Sequence, residues 1–143
     1  MKKSLLLLLV LGLFACSEIE NVDVFIDSPT IVQLDDDFEI TMKLVNTANK
    51  SQKLVSIDIS DKYLKGVIVA KTAPEYKEST HIPIDNSMSY IFRHSLPPGD
   101  TVTVTLYCKA VDTGDFSGSF DFCINSDFNF MSKNVRTLIK DNE

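Results

Sequence analysis

The chain has 143 residues, with 14 basic against 20 acidic side chains and a net charge of −6. That is one domain's worth of chain, able to bury about two-thirds of its unfolded surface without a metal or disulfide staple. The negative balance, with no basic cluster against it, argues against a nucleic-acid partner, because phosphates would be repelled.

The first segment is the most informative. Lys2 and Lys3 precede an apolar run from Leu5 to Phe14, broken only by Gly12. The run falls short of the about 20 apolar residues that a permanent spanning helix needs. Its layout is that of a secretory signal peptide. Leu13-Phe14-Ala15-Cys16 resembles a bacterial lipobox, with an aliphatic residue, a small residue and then the cysteine. The resemblance implies that residues 1–15 are removed and that the Cys16 thiol is lipidated. Each buried acyl CH₂ contributes about 0.8 kcal/mol, and two or more chains anchor stably. The remaining chain would carry 12 basic and 20 acidic residues, a net charge of −8. The expected location is the bacterial cell envelope. Aspartate after the cysteine retains enterobacterial lipoproteins at the inner membrane, so Ser17 favours the outer one. Residues 16–21 read as a short polar tether, reaching at most about 3.5 Å per residue.

From Val22 onward the chain reads as strands. Val22, Val24 and Ile26 alternate with polar or half-buried neighbours. Phe38, Ile40, Met42 and Leu44 alternate with Glu39, Thr41, Lys43 and Val45. Val55, Ile57 and Ile59 alternate with Ser56, Asp58 and Ser60. Val67–Ala70 and Met88–Arg93 are further strand candidates. Val102, Val104 and Leu106 alternate with threonines and Tyr107, and Phe116–Ile124 and Val135–Ile139 follow. Period two with β-branched and aromatic residues is the strand signal. Asp27-Ser28-Pro29, residues 46–51, Pro97-Pro98-Gly99-Asp100 and Asp112-Thr113-Gly114-Asp115 are turn clusters. Residues 71–86 contain Pro74 and Pro83 and read as a loop with a short edge strand. No segment shows a helical period. About seven to nine short strands predict an all-β fold, an antiparallel two-layer sandwich over residues 22–143.

Three stretches in order carry a further likeness. They are FEITMKLVNTANKS from Phe38, VSIDISDKYLKGVIV from Val55, and LPPGDTVTVTLYCKA with DTGDFSGSFDFCIN from Leu96. This order is similar to the conserved repeat domain of bacterial surface proteins. The resemblance implies an immunoglobulin-like sandwich and an extracytoplasmic scaffolding or adhesion role, with no catalytic residue to carry over. The L-x-P-G turn also occurs in fibronectin type III modules, which usually hold a core tryptophan; this chain has none.

Candidate chemistry is sparse. Cys108 and Cys123 lie on strands expected to form a hairpin around Gly114, in a compartment that permits a disulfide. Parity opposes the bridge, since Cys108 shares the face of Val102, Val104 and Leu106 while Cys123 lies opposite Phe116, Phe120 and Phe122. A bulge that re-phased one strand would allow it. Otherwise both thiols stay unpaired, Cys108 as a small core residue. Asp35-Asp36-Asp37 invites a calcium reading, but lacks the spaced D-x-D-x-D-G pattern and reads as a solvated turn. Asp58, Asp61, Asp112 and Asp115 would have to converge in space to help. His81 and His94 are not in a metal spacing. Neither is placed with Ser28 or Ser95 by any nucleophile motif. Met42, Met88 and Met131 are scattered, which opposes a methionine-rich copper site. No catalytic residue, metal site or cofactor is expected. Phe128 and Phe130 continue the parity of Phe120 and Phe122 and read as core, with an exposed contact patch as the alternative.

The expected function is a non-enzymatic, membrane-anchored envelope module that binds a protein or a surface glycan through strand edges or loops, above all residues 71–86. The alternatives are a calcium- or small-ligand-binding lipoprotein and, more weakly, a secreted hydrolase inhibitor.

Overall fold

A computed structural model describes residues 21–143; the signal segment, Cys16 and the tether as far as residue 20 lie outside the described residues. Ten strands form two layers. They are β1 (Val22–Asp27), β2 (Ile31–Gln33), β3 (Asp37–Asn46), β4 (Gln52–Ser60) and β5 (Val67–Ala73). Then come β6 (Glu78–Ile82), β7 (Ser87–Leu96), β8 (Thr101–Ala110), β9 (Gly114–Ile124) and β10 (Phe130–Lys140). A single helical turn, α1 (Asp61–Leu64), follows β4. One sheet has the order β1-β3-β8-β5 and the other β2-β10-β9-β4-β7-β6.

The predicted all-β sandwich is therefore the fold, with two refinements. Strands outnumber the expected seven to nine, because three-residue β2 falls below the length at which alternation can be read. One pair, β2 with β10, is parallel, while every other pair is antiparallel.

The alternation seen in the sequence sets the inner faces. Val22, Val24, Ile40, Met42, Leu44, Val104, Leu106 and Cys108 come from the smaller sheet, and Ile57, Ile59, Phe120, Phe122, Ile124, Val135 and Ile139 from the larger. Truncating a buried phenylalanine such as Phe120 to alanine costs about 3–5 kcal/mol in a core of this kind. One inner position differs from expectation. A register shift between Leu54 and Ser56 puts Leu54 in the core and leaves Val55 half-buried. The extra residue of a bulge reverses parity upstream of it.

The expected β8–β9 hairpin does not form. β8 pairs with β3 and β5, whereas β9 pairs with β4 and β10, so the chain crosses between sheets at residues 111–113. Tyr63 of α1 plugs the core near this crossing. Its ring meets Phe120 edge-on at 5.2 Å, and its hydroxyl lies 2.9 Å from Thr137 Oγ1.

Candidate functional site

Polar alternation builds the outer face of the six-stranded sheet. Register places Ser132, Asp121, Asp58, Ser89 and Thr80 in one row across five strands. The next row is Phe130, Cys123, Ser56, Ile91 and Glu78. Asp58 and Asp121 are thus directly opposed. Asp58 Oδ2 faces the Cys123 thiol at 3.6 Å, and its Oδ1 is buried with no hydrogen-bond partner. Burial pushes the Asp121 carboxyl above the usual carboxylate range; a hydrogen bond from Ser132 opposes this, and the charges of Asp58 and Asp85 add to it.

An open polar cleft of ≈ 680 Å³ continues this face toward α1. Ser117, Ser119 and Asn134 form its floor; Ser60, Asp61, Lys62 and Lys65 form one wall, and Asp85 and Asn86 another. Local sequence explains each part. Ser60 caps α1 by accepting from the Lys62 N–H at 3.3 Å. Gly118 lets α1 lie close on β9, since a Cβ there would come within 2.8 Å of Ser60 Cβ. The β6–β7 turn, residues 83–86, is clamped where the Asp61 N–H donates to the Asn86 carbonyl at 2.8 Å. His81 Nε2 lies 2.8 Å from Asp61 Oδ2, tying edge strand β6 to the same helical turn. Ile84 at the tip of the turn is 89% exposed. Hydroxyls, two amides and both signs of charge make this cleft suited to a polar partner rather than an apolar ligand.

The other sequence candidates fall elsewhere. Cys108 is buried in the core and Cys123 is buried on the outer face, and both are free. Burial pushes each thiol up to about 12. Asp35, Asp36 and Asp37 do not converge. Asp36 Oδ2 accepts from the Gln33 N–H at 2.9 Å, while Asp37 lies 3.7 Å from Lys109 Nζ. Asp115 pairs with Arg136, which holds its carboxyl below the usual range. Among the described residues no three His, Cys, Asp or Glu side chains are grouped to hold a metal. His94 is exposed on β7.

Phe128 and Phe130 correct the core reading, being 94% and 53% exposed. The turn after Asn125, which has φ +66, re-phases the chain so that Phe130 pairs with Cys123 on the outer face. The segment 71–86 does hold an edge strand, β6, as expected. Of the cleft residues, Asp61 and the 71–86 segment that holds Asp85 and Asn86 were singled out in the sequence, whereas Ser60, Lys62, Lys65, Ser117, Gly118, Ser119 and Asn134 were not. Their signal was the polar faces Ser56-Asp58-Ser60 and Ser117-Ser119-Asp121; what was missing was the pairing of β4 with β9.

No family model matches the sequence, and no curated protein matches it. Solved structures share the fold. E. coli alpha-2-macroglobulin aligns over 85% of this chain with a TM-score of 0.55 and 14% identity, and the chain spans only 7% of that protein. A cohesin module from a Clostridium perfringens family 33 glycoside hydrolase aligns over 85% of this chain and 98% of its own, with a TM-score of 0.53 and 8% identity. The cupredoxin domain of amoB from Nitrosocaldus yellowstonii aligns over 86% and 89%, with a TM-score of 0.52 and 11% identity. At such identities the likeness is one of fold alone, and that fold is an immunoglobulin-like β-sandwich.

Proposed function

We propose that this chain is a non-enzymatic lipoprotein of the bacterial cell envelope, held at the outer membrane through Cys16, whose sandwich docks a protein or surface glycan at the cleft between α1 and the β6–β7 turn. Leu13-Phe14-Ala15-Cys16 supports the anchor. The observation that carries the docking site is Ile84, 89% exposed on a clamped turn beside a polar cleft. A rigid apolar tip beside hydrogen-bonding groups is the makeup of a recognition hot spot with a polar rim. The free edge of β6 adds unpaired backbone groups next to it.

A photocrosslinking residue at position 84, with another at Thr103 on the far sheet, tests the site in native envelopes. One discrete adduct from position 84 and none from 103 supports it; equal labelling from both rejects it. Mass spectrometry of the native product tests the anchor, which requires an acylated amino-terminal Cys16. The rival reading is a lipoprotein for a small polar ligand or calcium, to which Asp61 and Asp85 in the cleft would contribute. Calcium titration during thermal melts separates the two, since only a bound ion gives a saturating rise in Tm.

A further inference from the structure

Three independent features mark one end of the sandwich. The chain enters the fold there: Val22 pairs with Asn46, and the Thr47 N–H donates to the Asn21 carbonyl at 2.9 Å. Residue 21 is five peptide steps from Cys16, a span of at most about 18 Å. Ten-residue strands such as β3 and β8 run about 33 Å. A lipid on Cys16 therefore keeps this end near the bilayer while the α1 end can stand clear.

The same end carries the Phe128 turn. Asn46 Nδ2 donates to the Leu96 carbonyl, Leu96 pairs with Gln52, and Asn125 Nδ2 donates to Gln52 Oε1. The Asn125 N–H also donates to the Lys53 carbonyl at 2.8 Å. This run of bonds ties the turn to the point of chain entrance, with Phe128 projecting almost fully exposed.

Charge is the third feature. The turns and strand ends here carry Lys50 and Lys53 against Asp23, Asp100 and Asp127, a net charge of −1. At the opposite end, where Asp37 pairs with Lys109 and the Leu34 N–H donates to the Lys140 carbonyl, Asp35, Asp36, Asp37, Asp61, Asp85, Asp112, Asp141 and Glu143 stand against Lys62, Lys65, Lys109 and Lys140, a net charge of −4. Anionic headgroups repel that more acidic end the more strongly.

We propose that the Asn125–Asn129 turn is a membrane-contact element. Phe128 enters the headgroup region of the bilayer that holds the acyl chains of Cys16, and the sandwich stands with its acidic end and its cleft outward. Aromatic rings favour this interfacial zone. The acyl chains supply the affinity, and Phe128 supplies the orientation. The proposal rests on the lipid anchor.

The chain has no tryptophan, so Phe128→Trp introduces a lone indole. Ile84→Trp serves as the outward control. Each full-length, acylated protein is placed in phosphatidylethanolamine and phosphatidylglycerol vesicles, with and without brominated acyl chains. The indole of the Phe128→Trp variant should shift to the blue and lose about half its emission to the bromines, as an interfacial indole does. The indole of the Ile84→Trp variant should keep a water-like spectrum. An unshifted Phe128→Trp spectrum, on a protein whose Cys16 is acylated, overturns the contact and leaves the anchor standing. A product without acyl chains overturns the anchor itself. Equal quenching in both variants overturns the orientation. A blue shift without quenching in Phe128→Trp overturns the lipid contact too, since protein rather than lipid then covers position 128.

Discussion

Asn46 and Leu96 stand 50 residues apart and on opposite sheets, yet the Asn46 side-chain amide donates to the Leu96 carbonyl at 2.8 Å. The same amide donates to the Lys50 carbonyl at 2.8 Å, and its oxygen accepts from the Ala48 N–H at 3.0 Å. The side chain is fully buried. It joins two layers whose other contacts are mostly apolar. Asn46→Ala leaves a buried carbonyl without a partner and should cost about 1–3 kcal/mol. Urea unfolding at pH 7 measures this as a lower midpoint with unchanged slope. A midpoint within error of the parent would show that the amide is replaceable by water.

The Asp58–Asp121 pair should make the protein more stable in mild acid than its carboxylates alone would. Asp121 binds its proton more tightly in the fold than in the unfolded chain. A group of this kind stabilises the fold at pH below its unfolded value, and the benefit is lost as pH rises through the folded value. The two carboxylates stand in register on one face, and like charges directly opposed disfavour folding. Asp121→Asn removes one charge and keeps an acceptor for Ser132. It should raise stability by up to about 1 kcal/mol at pH 7, a gain that shrinks as pH falls through the carboxylate range. Paired melts of parent and variant from pH 3 to 8 test the sign.

β3 and β8 were legible because each keeps period two throughout. Ile40, Met42 and Leu44 lie inward with no exception between them. The assignment of strands to sheets was not legible. Cys108 and Cys123 read as neighbours across a hairpin because residues 112–115 look like any tight turn, whereas the Val111 N–H is taken by the Gly66 carbonyl and the chain changes layer. The parity argument against a disulfide assumed a hairpin that does not form, and the two thiols lie on different sheets. The bulge at Leu54 and the positive φ of Asn125 each shift phase by one residue. Such shifts leave composition untouched and so hide both the core role of Leu54 and the exposure of Phe128. The cleft is made by a pairing of β4 with β9, more than 50 residues apart, and no local pattern encodes that.

Gly66 should tolerate no side chain while Phe116 stays in place. A Cβ at Gly66 would lie 2.3 Å from the Phe116 ring carbons, so the ring would have to move. Gly66→Ala should cost about 1–3 kcal/mol through overpacking. In a Phe116→Leu background the same change should cost much less, because the obstructing ring edge is gone. The double-mutant cycle reads the coupling directly; additive effects would mean that the crowding at this corner is relieved elsewhere.

Both thiols should be inert in the fold and exposed only by unfolding. Burial pushes Cys108 and Cys123 up to about 12, and for Cys123 the Asp58 charge works in the same direction against a hydrogen bond to Ser56. At pH 8 that leaves about a thousand-fold less thiolate than an ordinary cysteine carries. Iodoacetamide should therefore label neither residue in native protein and both in urea. The same shifts set the alkaline limit of the fold. Tyr63 and Tyr90 are also raised to about 12, chiefly by burial. All four groups hold their protons in the fold after the unfolded chain has begun to lose them. Their contribution is complete below about pH 9 and declines as pH rises toward 12. Urea midpoints measured from pH 8 to 11 should fall steadily with increasing pH. Cys108→Ala should lessen that slope, because the buried thiol no longer titrates on unfolding. A slope unaltered by Cys108→Ala would place the alkaline sensitivity in the tyrosines.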